Sequence, residues 1–187
     1  MTDFFCGRKD VLGLIRKRVA DLKEGYRQNL ALIGSRHIGK SSILLKFFND
    51  LDDSAVIPVY LNLENRDLHY FVSKATRSLL YQYARVKGLP VQDTLELLAE
   101  IVRPSIPRTA EAALAAAAMV DKGKWADAYE AVLRLPAVLI AETGLSCVFI
   151  LDEFHQIEEF GIDEPFKVLA DSITTQKGCL FIITSSY

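Results

Sequence analysis

The sequence contains few cysteines and histidines, and those it has are scattered. Of its 187 residues, three are cysteine and three are histidine. Cys6, Cys147 and Cys179 form no CxxC pair and no Cys/His cluster, which argues against both a disulfide framework and a metal site built on cysteine. Cys147 and Cys179 begin apolar runs, where a small buried thiol is the usual finding. The pattern predicts reduced cysteines and a cytoplasmic setting.

Long apolar runs and a strong charge of one sign are also missing. The alanine-rich stretch at residues 112–120 is too short to cross a bilayer core of about 30 Å, and the N-terminus lacks the apolar core of a signal peptide. We therefore expect no membrane association. The formal net charge is −2, with a pI of about 5.9. No overall basic field favours nucleic acid, which stays possible but unsupported as a partner.

What the sequence does contain is an alternation of apolar, strand-like runs and helical patterns. Strands are predicted at residues 30–33, 55–61, 147–151 and 180–184, with helices at 10–24, 41–51, 67–85, 91–102, 109–120, 125–135, 136–143 and 165–175. This alternation predicts an α/β fold with a mostly parallel sheet. Pro58 lacks the N–H that a central strand needs, so the second strand is expected at a sheet edge. The first strand is continuously apolar and is expected to be buried on both faces.

The segment from about 86 to 146 is too long for an ordinary connection between parallel strands. It contains helical patterns and no predicted strand, so we expect a helical insertion at one end of the sheet. Within it, Pro136 is expected in the first turn of its own helix, with Gly144 just past the end of that helix.

A glycine-rich loop follows the first strand and opens a helix. Residues 34–41 match the pattern G-x-x-x-x-G-K-[ST] in full, and both flanking elements are the expected ones. In such a loop the backbone N–H groups and the helix N-terminus form a positive cradle for phosphate oxygens. Lys40 can neutralise phosphate charge, and the Ser41 hydroxyl can reach Mg²⁺. The residues predicted to bind nucleotide here are Gly34, Ser35, Arg36, His37, Ile38, Gly39, Lys40, Ser41 and Ser42.

Two carboxylates follow the third predicted strand. Asp152 and Glu153 come directly after four apolar residues, at the carboxyl end of the strand, where open α/β sheets bind their ligands. We expect Asp152 to hold Mg²⁺ and Glu153 to activate the attacking water. Together with the loop they predict binding and hydrolysis of ATP–Mg²⁺. Guanine is not expected as the base, because no Asn-Lys-x-Asp string occurs.

These two motifs resemble those of P-loop ATPases of the AAA+ and STAND group, and in particular of the archaeal-type ATPases related to origin-recognition ATPases. Residues 5–10 resemble the opening motif of that family, Asn62 matches the end of its second strand, and residues 151–156 resemble its extended Walker B motif. The resemblance implies a three-layer α/β/α fold with strand order 5-1-4-3-2. We expect 1-4-3-2 here, with the fifth strand missing. Residues 1–187 are then expected to be the nucleotide-binding core of a longer protein.

The resemblance also implies roles for further residues. Phe5, Gly7 and Arg8 would lie near the adenine or its ribose, although Phe5 could equally pack against the first helix. Asn62 would sit beside Glu153 and restrain it, or else form an ordinary turn at the strand end. Thr184 or Ser185 would act as the sensor that contacts the γ-phosphate or the attacking water. The alternative is an ordinary polar strand end without a sensor role, and the choice between these two residues also stays open.

Members of the family usually complete the site with an arginine from a neighbouring subunit and a second arginine on a helical lid. The sequence contains no segment that matches the lid. Because loss of such an arginine costs about 10³–10⁵ in rate, we expect slow hydrolysis in isolation and dependence on a protein partner or self-association. The alternatives are a signalling scaffold that holds ATP or ADP without hydrolysis, and a DNA-associated loader ATPase.

Overall fold

The computed structural model describes residues 8–186. Its strands form one parallel sheet with the order β1-β4-β3-β2, as predicted. The strands are β1 (Leu30–Gly34), β2 (Val56–Asn62), β3 (Ser146–Asp152) and β4 (Cys179–Ser186). The helices are α1 (Lys9–Lys23), α2 (Lys40–Asp50), α3 (Leu68–Val86), α4 (Leu95–Val102), α5 (Pro107–Asp121), α6 (Trp125–Thr143) and α7 (Pro165–Thr175), with a 3₁₀ helix at Phe154–Phe160.

Side chains alternate between the two faces of the sheet and so build two separate cores. Val148 and Ile150 of β3 belong to the core formed with α1 and α2. Phe149 and Leu151 belong to the larger core formed with α3 to α7 and the 3₁₀ helix. The sheet therefore lies between two helical layers, and this is the predicted three-layer arrangement.

Pro58 lies on an edge strand, as its missing N–H predicted. In the described residues β2 pairs only with β3, and Pro58 lies opposite Val148. At the other edge, the expectation that β1 is buried on both faces is wrong. Leu30 and Leu32 pack against the α1–α2 core, but Ile33 is 66% exposed. The larger helical layer covers β2, β3 and β4 and does not extend over β1.

The inserted helices belong to the larger core, on one side of the sheet. Helices α4, α5 and α6 pack against α3, and α6 also contacts β3. Helix α6 runs unbroken from Trp125 to Thr143 with Pro136 inside it, so the expected separate helix is wrong. A proline inside a helix costs about 3 kcal/mol. Burial of Val132, Leu135 and Leu139 on either side offsets this, at about 1.5–3 kcal/mol for each side chain.

The two described cysteines agree with the sequence prediction. Cys147 and Cys179 are buried free thiols that lie opposite each other on β3 and β4, while Cys6 lies outside the described residues. Burial, followed by the neighbouring Cys147, raises the pKa of the Cys179 thiol. Among the helices of residues 8–186, none is long and apolar enough to cross a membrane.

Candidate functional site

The glycine-rich loop joins β1 to α2 and turns sharply before the helix. Gly39 has φ 89° and forms the N-cap of α2, a left-handed conformation that side chains disfavour. His37 adopts φ 62° in the same region. The helix starts where the N–H of Ile43 donates to the carbonyl of Gly39. The first N–H groups of α2 have no partners within the helix, which makes this end of α2 a potential anion site.

Lys40 lies inside the curve of the loop. Its Nζ donates to the carbonyl oxygens of Gly34 (2.8 Å) and Ser35 (3.0 Å) and to the hydroxyl of Ser186 (2.8 Å). Lys40 is only 5% exposed, which is unusual for a lysine that has no acidic partner within residues 8–186. The ammonium group is therefore placed beside the helix N-terminus, where a phosphate group would need positive charge.

Asp152, the last residue of β3, is completely buried. Its Oδ2 accepts a hydrogen bond from the Tyr60 hydroxyl at 2.6 Å, and its Oδ1 accepts one from the Thr184 hydroxyl. Burial, and next the neighbouring carboxylate, raises the pKa of Tyr60 well above its usual range. The Tyr60 hydroxyl therefore remains a donor across the physiological pH range.

Glu153 follows in a left-handed conformation, with φ 56°. Its backbone N–H donates to the Thr184 hydroxyl at 2.9 Å, so one threonine side chain holds both acidic residues. Its Oε1 accepts a hydrogen bond from Ser186 at 2.6 Å. Its Oε2 is buried without a hydrogen-bond partner in the described chain and lies 3.5 Å from Nδ1 of His155. One carboxylate oxygen is thus fixed, and the other has no donor among the described residues.

The structure separates the residues that the resemblance grouped as sensors. Thr184 is fully buried beneath the two carboxylates, and Ser185 Oγ lies 3.2 Å from Nδ1 of His155. Ser186, which sequence reasoning missed, contacts both Lys40 and Glu153. The period of two along a strand provided the signal, because residues 184 and 186 share a face. The predicted strand ended at 184, two residues short of the observed end.

Asn62 forms a turn at the end of its strand. Its Oδ1 accepts from the N–H of Glu64 at 2.9 Å, which is the alternative that the sequence left open. It lies opposite Asp152 in the sheet register. No hydrogen bond joins it to Glu153 within residues 8–186, and its restraining role stays a prediction.

The remaining predicted nucleotide-binding residues are mostly open to solvent. Ser41 is half-buried, and the other members of this group are exposed, namely Ser35, Arg36, His37, Ile38 and Ser42. The Arg36 guanidinium lies 3.4 Å from the carboxylate of Glu64. Arg8 is exposed just before α1, with φ 54°. Phe5 and Gly7 lie outside the described residues, so their roles stay predictions.

The oxygen donors at the site suit Mg²⁺. No group of three or more His, Cys, Asp or Glu side chains in the described part of the chain could hold a metal ion. Mg²⁺ in phosphate-transferring enzymes does not need such a cage, since it keeps several waters and takes only one or two protein oxygens beside the phosphates. The hydroxyl of Ser41 and the carboxylate of Asp152 are oxygen ligands of that kind, and Asp152 is already oriented by two hydrogen bonds.

The fold of this chain is similar to that of a solved ATPase structure. The chain is similar to the Walker-type ATPase PABY2304 of Pyrococcus abyssi, with 14% identity and a TM-score of 0.58 over 99% of this chain and 46% of that one. It is also similar to the ORC2 protein of Aeropyrum pernix, solved in ADPNP–ADP complexes, with 17% identity and a TM-score of 0.48 over 97% of this chain and 42% of that one.

The chain thus spans less than half the length of either solved structure. No curated protein matches its sequence. The family model of the AAA ATPase domain matches residues 5–183, a stretch that includes both the glycine-rich loop and the paired carboxylates. The chain belongs to the AAA ATPase domain family.

Proposed function

We propose that this chain binds ATP with Mg²⁺ at the glycine-rich loop and hydrolyses it slowly on its own, as a module that switches conformation with its nucleotide. The observation that carries the proposal is the hydrogen-bonded series from Lys40 through Ser186 to Glu153. It joins the lysine suited to phosphate charge to a carboxylate suited to activating water. Family membership supports nucleotide binding and ATPase activity in general.

Each residue has a definite task under this proposal. Lys40 and the N-terminus of α2 bind the phosphates, and in doing so Lys40 exchanges the carbonyls of Gly34 and Ser35 for phosphate oxygens. Ser41 and Asp152 would hold Mg²⁺, which when bound neutralises charge on the phosphates. Glu153 orients the attacking water through Oε2, the oxygen that has no partner among the described residues. Ser186 keeps Oε1 in place meanwhile.

The proposed slow turnover rests on the lack of an arginine at Glu153 among the described residues. Within residues 8–186, no arginine donates a hydrogen bond to the carboxylate of Glu153 or to the hydroxyl of Ser186. Without an arginine near the transferred phosphate, phosphoryl transfer is slower by about 10³–10⁵. We propose that a partner protein or a second copy of the chain supplies this group and so controls the rate.

The test compares the nucleotide affinity and turnover of three variants by calorimetry and a steady-state phosphate assay. Lys40→Ala should weaken ATP–Mg²⁺ binding by about 10- to 100-fold, the value of a charge-assisted hydrogen bond of about 1.5–3 kcal/mol. Lys46→Ala is the matched control, because Lys46 lies on the same helix in an exposed ion pair with Asp50. Glu153→Gln should retain binding and lose turnover.

Four outcomes would contradict the proposal. Unchanged ATP affinity in Lys40→Ala would show that the binding site is wrongly assigned. Rapid turnover by the monomer would show that hydrolysis does not depend on a partner. Tight retention of ADP with negligible turnover, even beside a partner, would favour the signalling scaffold. Stimulation of turnover by DNA would favour the loader.

A further inference from the structure

Another pocket has Tyr60 and Asn62 in its lining and no residue of the glycine-rich loop. It has a volume of about 420 Å³ and lies between the outer edge of β2 and one face of α3. Pockets of roughly 300–1,000 Å³ are typical of small-molecule sites. The helix contributes polar and aromatic side chains to it that the proposed ATPase chemistry does not use.

Gln82 provides the first indication of a ligand. It lines the pocket, is only 7% exposed, and its Oε1 has no hydrogen-bond partner among the described residues. A buried amide oxygen without a partner is costly, and such groups usually have a functional explanation. A rotation of the Gln82 amide would turn Oε1 into the pocket, where an N–H or O–H group of a ligand would satisfy it.

The charges on the pocket lining favour an anion. Lys74 and Arg77 lie about one turn apart on α3 and both line the pocket, against one acidic residue, Asp93. Nη1 of Arg77 donates to the backbone carbonyl of Asp93 at 3.1 Å, which fixes the guanidinium at the rim. Lys74 forms no ion pair within residues 8–186. Guanidinium and ammonium groups placed together are the usual ligands of phosphate and carboxylate.

Aromatic rings supply the rest of the wall. Phe48, Tyr60, Tyr70 and Tyr81 all line the pocket. The rings of Phe48 and Tyr60 are tilted against each other with centroids 5.8 Å apart, and Tyr81 is 37% exposed. Such rings favour a flat apolar group, because aromatic pairs gain by stacking or edge contact beyond simple burial.

We propose that this pocket is a second ligand site, separate from the glycine-rich loop, for a small anion that carries a planar ring with an N–H donor. The nucleoside monophosphates are the class that fits. The phosphate binds Lys74 and Arg77, the base lies among the tyrosine rings, and a donor on the base reaches Oε1 of Gln82.

A ligand in this pocket would contact residues that are connected to the phosphate site. Tyr60 lines the pocket, and its hydroxyl donates a hydrogen bond to Asp152 at 2.6 Å. Phe48 lines it as well and belongs to α2, the helix that starts at the loop. The pocket ligand therefore changes the rate of ATP hydrolysis. This coupling, unlike the binding itself, rests on the proposed function.

The experiment titrates AMP into the full chain, first saturated with ADP and Mg²⁺, by calorimetry. One equivalent of AMP should bind. Arg77→Gln and Lys74→Gln should each raise its Kd at least tenfold, as should Gln82→Met, which removes the acceptor and keeps the length of the side chain. Arg85→Gln is the matched control, since it removes the same charge from the same helix outside this pocket, and should leave the Kd within twofold.

Further arms separate this site from the loop. Lys40→Ala, titrated without ADP, should retain the AMP affinity even though its ATP affinity falls. Adenosine, which has the ring alone, and ribose 5-phosphate, which has the anion alone, should each bind at least tenfold more weakly than AMP. The proposal is overturned if AMP does not bind, if Lys40→Ala abolishes its binding, or if Arg77→Gln leaves its Kd unchanged. If the wild-type chain binds AMP but does not bind ATP, the proposed function fails and this site stands.

Discussion

The Ser186 hydroxyl donates a hydrogen bond to Oε1 of Glu153 at 2.6 Å. The oxygen of the same hydroxyl accepts a hydrogen bond from Lys40 at 2.8 Å. One small side chain at the end of β4 thereby joins the candidate phosphate-binding lysine to the candidate base. A nucleotide that draws Lys40 towards its phosphates changes the environment of Ser186, and through it that of Glu153.

Replacing Ser186 by alanine should lower the rate of ATP hydrolysis about 10- to 100-fold. A hydrogen bond to a charged group contributes about 1.5–3 kcal/mol, and its loss frees the carboxylate of Glu153 to rotate. ADP affinity should change only a few-fold, because Lys40 keeps its place in the loop. Steady-state turnover and ADP calorimetry measure the two effects.

Ser185→Ala is the matched control for this variant. Within the described residues its hydroxyl is hydrogen-bonded to His155 and to neither Lys40 nor Glu153. Its effect on turnover should therefore be less than about threefold, below the value of a typical net hydrogen bond. Equal losses in the two variants would mean that the Ser186 contacts do not position Glu153.

Replacing Tyr60 by phenylalanine should destabilise the protein at pH 7 by about 1–3 kcal/mol, since Oδ2 of the buried Asp152 loses a donor. As pH rises into the alkaline range, the variant should also lose less stability than the wild type does. The folded protein raises the pKa of Tyr60 above its ordinary value of 10.0, so its contribution is complete below pH 10 and declines as pH rises beyond it. Urea unfolding between pH 7 and 11 measures both effects.

Tyr26→Phe is the control for the tyrosine variant, because Tyr26 is 74% exposed. Its stability should match that of the wild type at pH 7. If Tyr60→Phe and the wild type lost stability in parallel above pH 10, burial and the Asp152 carboxylate would not be raising the pKa of Tyr60.

Replacing Glu142 by glutamine should lower stability by about 1 kcal/mol at pH 7, as for loss of a helix cap. The Glu142 carboxylate on α6 accepts from the N–H groups of Arg108 and Thr109 and from the Thr109 hydroxyl, all in the first turn of α5. Burial raises the pKa of Glu142, but these hydrogen bonds outweigh it and the net shift is downward from 4.5.

The stabilising effect of Glu142 is thus present above pH 4.5 and is lost as pH falls through the lowered pKa. Thermal unfolding of wild type and Glu142→Gln from pH 2 to 7 should show curves that converge in acid. Glu130→Gln on the same helix removes only an exposed ion pair with Arg134 and should cost about 0–0.5 kcal/mol. A constant gap between wild type and Glu142→Gln down to pH 2 would contradict the assignment.

Replacing Ile33 by lysine should reduce any self-association of the chain at least tenfold. Ile33 lies on the edge strand β1 and is 66% exposed, and charge on an edge strand disfavours pairing with another strand. Sedimentation across a concentration series measures the change. Tyr26→Lys adds the same charge at an exposed position outside the strands, and an equal reduction there would point to net charge rather than to the strand edge.

Local features made the loop and the carboxylates predictable from the sequence. The spacing of Gly34, Gly39 and Lys40 is a requirement of the backbone around a phosphate, and it can be read without tertiary contacts. Pro58 indicated an edge strand for the equally local reason that proline has no N–H. The apolar run before Asp152 gave the direction of its strand and so the end of the sheet at which this carboxylate lies.

Strand register and packing decided the features that the sequence did not predict. Ser186 lies opposite Gly34, and Tyr60 reaches Asp152 from the neighbouring strand, because pairing of distant segments sets which side chains meet. Pro136 stays within one helix because the buried residues around it outweigh a local rule. The sequence by itself determined which chemical groups are available, since they depend on residue type and spacing. Only the tertiary structure decided which of them touch, since contacts between strands depend on register across the whole sheet.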